Sequence, residues 1–120
     1  MSAPPARFDV RKAPGAPGVT IIDLRGRLDA FAGEALDTAY AEVNQHKSSA
    51  IVLNFTHVDY INSTGIALII GLMMQAAKTG RRLLACSLNE HYMKVFELAR
   101  LTDFITIIPD EPSALSAALG

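Results

Sequence analysis

The residues best suited to chemistry lie in one short segment, Asn62-Ser63-Thr64-Gly65, directly before an apolar run. An exposed serine or threonine hydroxyl can act as a nucleophile or accept a phosphoryl group. Ser, Thr and Asn are also favoured at helix N-caps, where a side-chain oxygen accepts a backbone N–H. The segment therefore predicts a helix start, a modifiable hydroxyl, or both.

Hydrolytic catalysis at Ser63 is disfavoured by what surrounds it. Ser63 is not in a G-x-S-x-G turn, and the three histidines, His46, His57 and His91, are scattered along the chain. His57 precedes Ser63 by several residues, so a working pair would need a loop that folds back on itself. No His, Cys or carboxylate cluster has metal-ligand spacing, and there is no GxxxxGK[ST] phosphate loop. We expect a protein that is not an enzyme and uses no cofactor or metal.

Composition limits the remaining classes. The chain has 120 residues, is 50% hydrophobic and carries a formal net charge of -1, which fits one soluble globular domain and argues against nucleic-acid binding. The single cysteine, Cys86, lies in an apolar strand and is expected to be buried, in a reducing cytoplasm. No signal peptide is visible, and the apolar run at 66–74 is shorter than the ~20 residues that span a bilayer, so we expect no direct membrane insertion.

Hydrophobic periodicity and turn residues predict the order β-β-α-β-α-β-α-β-α. A loose tail at residues 1–6 precedes a domain at 7–120. We predict an α/β fold, with a mixed sheet that begins in an N-terminal β-hairpin, later strands that are parallel, and about four packed helices. The predicted strands are 7–12, 19–24, 50–55, 82–87 and 104–108; the turn is 13–18, the loop 56–64, and the helices lie near 36–43, 63–79, 89–99 and after Pro112.

The helix after the NSTG segment (residues 62–65) is apolar almost all round, which indicates burial or a covering partner. Spacing of 100° per residue predicts a core face of Ile66, Ile69, Ile70, Met73 and Ala77. The opposite face would hold Ala67, Leu68, Gly71, Met74, Gln75 and Lys78. Gly80 is predicted to end the helix, Asn89 to cap the next one, and the terminal helix to bury Leu115, Ala118 and Leu119.

Together these features resemble the STAS domain of bacterial anti-sigma factor antagonists. The resemblance rests on the buried strand IVLNF, a loop that ends in NSTG, the apolar helix, and a later helix that reads FELARLTDF. GRLDAFAGEAL, at residues 26–36, resembles the family's turn before its first helix. Asn62 and Arg27 stand where the family commonly has Asp and Glu.

The resemblance implies a partner-switching regulator with Ser63 as the phosphorylated residue. The unphosphorylated form would bind an anti-sigma factor that is also a serine/threonine kinase of the histidine-kinase-like ATPase type. Phosphorylation would release it, and a PP2C-type phosphatase would reset it. The docking surface would contain Asp29, Asn62, Ser63, Thr64, Gly65 and Leu68.

Two other functions stay open at this point. One is a STAS subunit that docks on the ATPase of a membrane transport system, such as lipid transport, without a phosphate switch. The other, further from the pattern, is an acyl-transfer or hydrolytic enzyme that uses Ser63.

Overall fold

The computed structural model describes residues 4–119. The strands are β1 (Arg7–Lys12), β2 (Val19–Leu28), β3 (Ala50–Ile61), β4 (Arg82–Cys86) and β5 (Thr106–Ile108). The α-helices are α1 (Gly33–Gln45), α2 (Ser63–Lys78), α3 (Glu90–Leu98) and α4 (Glu111–Leu119), and 3₁₀ turns lie at Ala30–Ala32 and Leu101–Asp103. The predicted element order is confirmed.

The strands form one five-stranded sheet in the order β1-β2-β3-β4-β5. β1 runs antiparallel to β2, and the pairs β2–β3, β3–β4 and β4–β5 are parallel. This confirms the predicted α/β fold with a mixed sheet and an N-terminal hairpin.

Alternate residues of the central strands enter two different cores. Ile51 and Leu53 of β3 face the larger core, which also receives buried side chains from α1, α2 and α3. Val52 faces the smaller core, together with Cys86 of β4 and Ala114 of α4. A strand covered on both faces needs apolar residues at every position, which explains the continuous run in β3. Cys86 is fully buried, as predicted, and burial raises the pKa of its thiol.

Helix α4 is fixed over the smaller core by charged residues at the edge of the sheet. Arg11 of β1 donates to Asp23 of β2 at 2.7 Å from Nε and also contacts Glu111 at the start of α4. Asn54 Nδ2 donates to the other Asp23 oxygen at 2.9 Å. Burial alone would raise the pKa of Asp23, but these hydrogen bonds and the arginine charges together lower it.

The predicted loop at 56–64 is wrong over most of its length. Residues up to Ile61 continue β3 and pair with Arg25 to Leu28 of β2, after two shifts in register. This half of the strand was mistaken for a loop because its composition is largely polar. Thr56, His57 and Tyr60 are indeed exposed. The pairing with β2 satisfies the backbone and extends both strands beyond their apolar parts.

The predicted core face of α2 is partly wrong. Ile69 and Met73 are buried, but Gly65, Leu72 and Ala76 complete the buried face. Ile70 is 37% exposed and Ala77 is also exposed. The helix is rotated because Gly65 packs closely on β2, which turns the 65–69–72–76 row toward the core.

Predictions at the other helix ends have mixed outcomes. Gly80 follows α2 with a φ of 71°, and Asn89 caps α3 by accepting from the Tyr92 N–H. Leu119 is 60% exposed, contrary to the prediction, whereas Ala114 is the buried residue of α4.

Only part of the predicted tail, residues 1–6, lies within the described residues. The Pro4 carbonyl accepts from the Arg27 N–H at 3.0 Å, and Pro5 forms a bridge with Arg27. Residues 4 and 5 therefore lie along β2.

Candidate functional site

The NSTG segment forms the first turn of α2, where β3 ends. Asn62 has an extended backbone, and its Oδ1 accepts from the Gly65 N–H at 2.9 Å. Its carbonyl accepts the first helical hydrogen bond, from the Ile66 N–H at 2.9 Å. Asn62 is therefore the N-cap, and Ser63 is the first helical residue.

The hydroxyl groups of Ser63 and Thr64 take no part in the hydrogen bonds that hold this turn. Ser63 and Thr64 are both exposed. Within residues 4–119, neither side chain takes part in a hydrogen bond. Because Asn62 already supplies the cap, the Ser63 hydroxyl is exposed and, among the described residues, without an internal hydrogen bond at a helix end that favours anions.

Backbone contacts with β2 fix the position of this turn. The Asn62 N–H donates to the Leu28 carbonyl at 3.1 Å. A Cβ added at Gly65 would lie 2.1 Å from that same carbonyl oxygen. Gly65 is buried, so the role that the structure shows for it is to let α2 pack closely against β2.

A buried tyrosine from α3 holds the end of β3. The Tyr92 hydroxyl accepts from the Ile61 N–H at 2.9 Å, one residue before the cap. Both residues are buried. The NSTG segment is therefore anchored from β2 on one side and from α3 on the other.

Asp29 is brought to the same edge of the sheet, because it directly follows Leu28. Its carboxylate is already engaged: Arg27 Nε donates to Oδ2 at 2.5 Å, and the Phe31 N–H donates to Oδ1 at 3.0 Å. The hydrogen bond from Arg27 is the main reason that the pKa of Asp29 lies below its usual range. The Asp29 side chain is 13% exposed.

Two apolar residues complete this surface. Leu68 is half-buried and lines a small internal cavity with Leu28, Ala32 and Ile69, so it presents only part of its side chain. Phe31, in the 3₁₀ turn that Asp29 caps, is 86% exposed. Phe31 was not among the residues predicted for this surface, and its signal in the sequence was a lone aromatic residue among the small residues of DAFAG.

The structure places His57 away from Ser63, the residue with which it would have to pair in a hydrolase. His57 lies in the extended part of β3, and the strand rises about 13 Å from His57 to Ile61 at ~3.3 Å per residue.

No cluster of three or more metal-ligating side chains occurs among residues 4–119. Over the same residues, no helix combines the length and apolar character needed to cross a membrane.

Comparison with known proteins identifies the family. The family model for the STAS domain matches residues 10–114. The chain is 28% identical over 101 residues to BtrV of Bordetella bronchiseptica, a candidate anti-sigma factor antagonist by its name, with 84% of each chain covered.

Two solved structures show the same fold. An anti-sigma factor antagonist from Mycobacterium paratuberculosis superposes with a TM-score of 0.79 at 21% identity, over 100% of both chains. The phosphorylated form of the Bacillus cell fate determinant SpoIIAA gives a TM-score of 0.69 at 22% identity, over 92% of this chain and 97% of the other. The protein belongs to the STAS domain family.

Proposed function

We propose that this protein is an anti-sigma factor antagonist that changes partners when Ser63 is phosphorylated. Unphosphorylated, it binds an anti-sigma factor that is also a serine/threonine kinase; phosphorylated, it is released. The observation that carries the proposal is the division of labour in the NSTG segment. Asn62 caps α2, which leaves the exposed Ser63 hydroxyl without an internal hydrogen bond.

The relatives support this role. BtrV is named as an anti-sigma factor antagonist, and one structural neighbour is a phosphorylated form of SpoIIAA. These descriptions concern those proteins, and their agreement with an available hydroxyl at the start of α2 is what favours a phosphate switch here.

The phosphoryl transfer needs only one group from this chain. The Ser63 Oγ forms a bond to the γ-phosphorus of ATP as the bond from that phosphorus to the β–γ bridging oxygen breaks, which releases ADP. The hydroxyl proton passes to a base of the kinase. The product carries about -1.5 to -2 charges at the positive end of α2, where the helix dipole and free N–H groups stabilise it.

Release follows from where that charge is placed. We place Phe31, Thr64 and the exposed part of Leu68 on the same docking surface as Ser63, and a partner that covers them must exclude water. A dianion in such an interface loses its hydration and repels any acidic group of the partner. Asp29 is proposed to hold the 3₁₀ turn that presents Phe31, and a PP2C-type phosphatase would restore the serine.

The test is phosphorylation by a histidine-kinase-like anti-sigma factor from the same organism. The purified chain is incubated with the kinase, ATP and Mg²⁺, and intact mass is measured. We expect one added phosphoryl group, its loss in Ser63→Ala, and its retention in the matched control Thr64→Ala. Pull-down should show that Ser63→Asp weakens the complex with the kinase, whereas Ser63→Ala preserves it.

Two results would count against the proposal: modification that persists in Ser63→Ala, or equal binding by Ser63→Asp and the unaltered chain. Stable binding to the ATPase of a transporter, unchanged by either substitution, would favour the non-switching alternative instead.

A further inference from the structure

A second apolar surface lies on α2, away from the NSTG segment. A groove between α2 and the 3₁₀ turn at Leu101–Asp103 is lined by apolar side chains that include Ile70, Met74, Ala77, Leu101 and Phe104. Met74 is 68% exposed and Phe104 is 71% exposed, so both stand out from the surface. We call this surface the α2–turn groove.

We infer that the α2–turn groove is the contact between two copies of this chain. An interface with two-fold symmetry pairs a patch with itself, so the patch must hold both a projection and a recess. Here Phe104 projects from the turn side, and the short Ala77 leaves space on the α2 side. Phe104 of each copy packs over Ala77 of the other.

The charges at the rim favour the same pairing. Lys78 follows Ala77 on the α2 side, and Asp103 precedes Phe104 on the turn side. Both are exposed, and neither forms an ion pair within residues 4–119. When Phe104 reaches Ala77 of the second copy, Asp103 comes beside that copy's Lys78. The two-fold axis repeats this contact, so the dimer contains two equivalent Asp103–Lys78 pairs.

The size of the patch limits how much apolar surface a dimer can bury. A standard interface buries about 800 Å² on each partner, of which about 57% is apolar. With the exposed parts of Met74, Phe104 and Ile70, the groove offers on the order of 300–400 Å² of apolar surface. This is somewhat less than a standard interface supplies, so we expect a dimer with a micromolar dissociation constant.

Sedimentation of the purified full-length chain over a concentration series from low micromolar to millimolar tests the inference. We expect a shift from monomer to dimer across that range. The double variant Met74→Gln/Phe104→Ser should raise the dissociation constant at least about tenfold. The matched control is Phe31→Ser, which removes an even more exposed phenyl ring from the 3₁₀ turn at Ala30–Ala32 and should leave the dimer unchanged.

Charge reversal distinguishes this pairing from nonspecific association. Lys78→Glu alone places two acidic groups together at each rim, and Asp103→Lys alone places two basic groups together, so each variant should dimerise more weakly. In an equimolar mixture of the two, both rim pairs of the mixed dimer are restored with reversed sign. The mixed dimer should therefore be tighter than either variant's own dimer.

A monomer at every concentration overturns the inference. So does a dimer that Met74→Gln/Phe104→Ser leaves intact, or a mixture no tighter than its components. A monomer that loses a different protein partner through Phe104→Ser would assign the groove to that partner. None of these results depends on phosphorylation of Ser63, so this inference and the proposed function can fail separately.

Discussion

The two halves of α2 meet the rest of the molecule in opposite ways. Its first turn is polar and fully anchored: Asn62 caps it, Leu28 contacts it through the backbone, and Tyr92 holds the strand that leads into it. From its middle onward, α2 exposes Ile70 and Met74 to a groove that no described residue covers. Hydrogen bonds therefore fix the turn that carries Ser63, the proposed phosphoacceptor, whereas the apolar surface farther along α2 stays exposed and forms the proposed dimer contact.

The largest expected effect on stability comes from substituting a glycine in the first turn of α2, and the same substitution in its second half is the comparison. Gly65→Ala places a Cβ against the Leu28 carbonyl, which cannot move without disturbing β2, and should lower the free energy of unfolding by about 3 kcal/mol. Gly71→Ala is the matched control in the open half, where nothing lies within 4 Å of the added Cβ. It should raise the free energy of unfolding by about 0.5–1 kcal/mol, since alanine favours a helix. Urea denaturation measures both, and equal effects would contradict the comparison.

The next effect tests the anchor from α3. Tyr92→Phe leaves the buried Ile61 N–H without a partner, which should cost about 1–2 kcal/mol of unfolding free energy. Amide hydrogen exchange at Ile61 should accelerate, whereas Tyr60→Phe, at an exposed ring, should leave it unchanged. Unaltered exchange at Ile61 in Tyr92→Phe would show that the anchor is dispensable.

A smaller effect concerns the cap itself. Asn62→Ala should lower the free energy of unfolding by about 1 kcal/mol, because the Gly65 N–H loses its acceptor. Asn62→Asp keeps an acceptor and adds a negative charge at the helix start, so at neutral pH it should be as stable as the parent or gain about 0.3 kcal/mol. Thermal unfolding of the three proteins gives the order. A stable Asn62→Ala would mean that Ser63 takes over the cap.

The smallest effect is expected at Ser63. Its hydroxyl is exposed and makes no hydrogen bond within the described residues, so Ser63→Ala should change the unfolding free energy by less than about 0.5 kcal/mol. The same change should abolish phosphorylation. A large loss of stability would show that the hydroxyl supports the fold, and it would weaken its assignment as a phosphoacceptor.

How far the sequence predicts this molecule depends on where each element gets its hydrogen bonds. Residues 50–55 are apolar without interruption, and the pattern alone identified them as a strand buried on both faces. Residues 56–61 continue the same strand with mostly exposed side chains, and only the pairing with β2 reveals this continuation. The periodicity of apolar side chains cannot predict a strand segment that is stabilised mainly by its pairing with a neighbouring strand.

The periodicity of apolar residues also could not predict which face of α2 packs against the core. An almost wholly apolar helix allows several core faces, and the one we predicted left out Gly65, Leu72 and Ala76. The close approach of Gly65 to Leu28 selects the face, and that contact joins residues far apart in the chain.

The amino-acid sequence by itself determined the element order, the α/β class and the position of Ser63 at the start of a helix. These follow from local periods and turn residues, which act over a few positions. Only the tertiary structure decided that Asn62 makes the cap, that Gly65 is buried, and that Phe31 and Phe104 stay exposed. Burial and hydrogen bonding depend on which distant segments of the chain come into contact, and those contacts exist only once the sheet has formed.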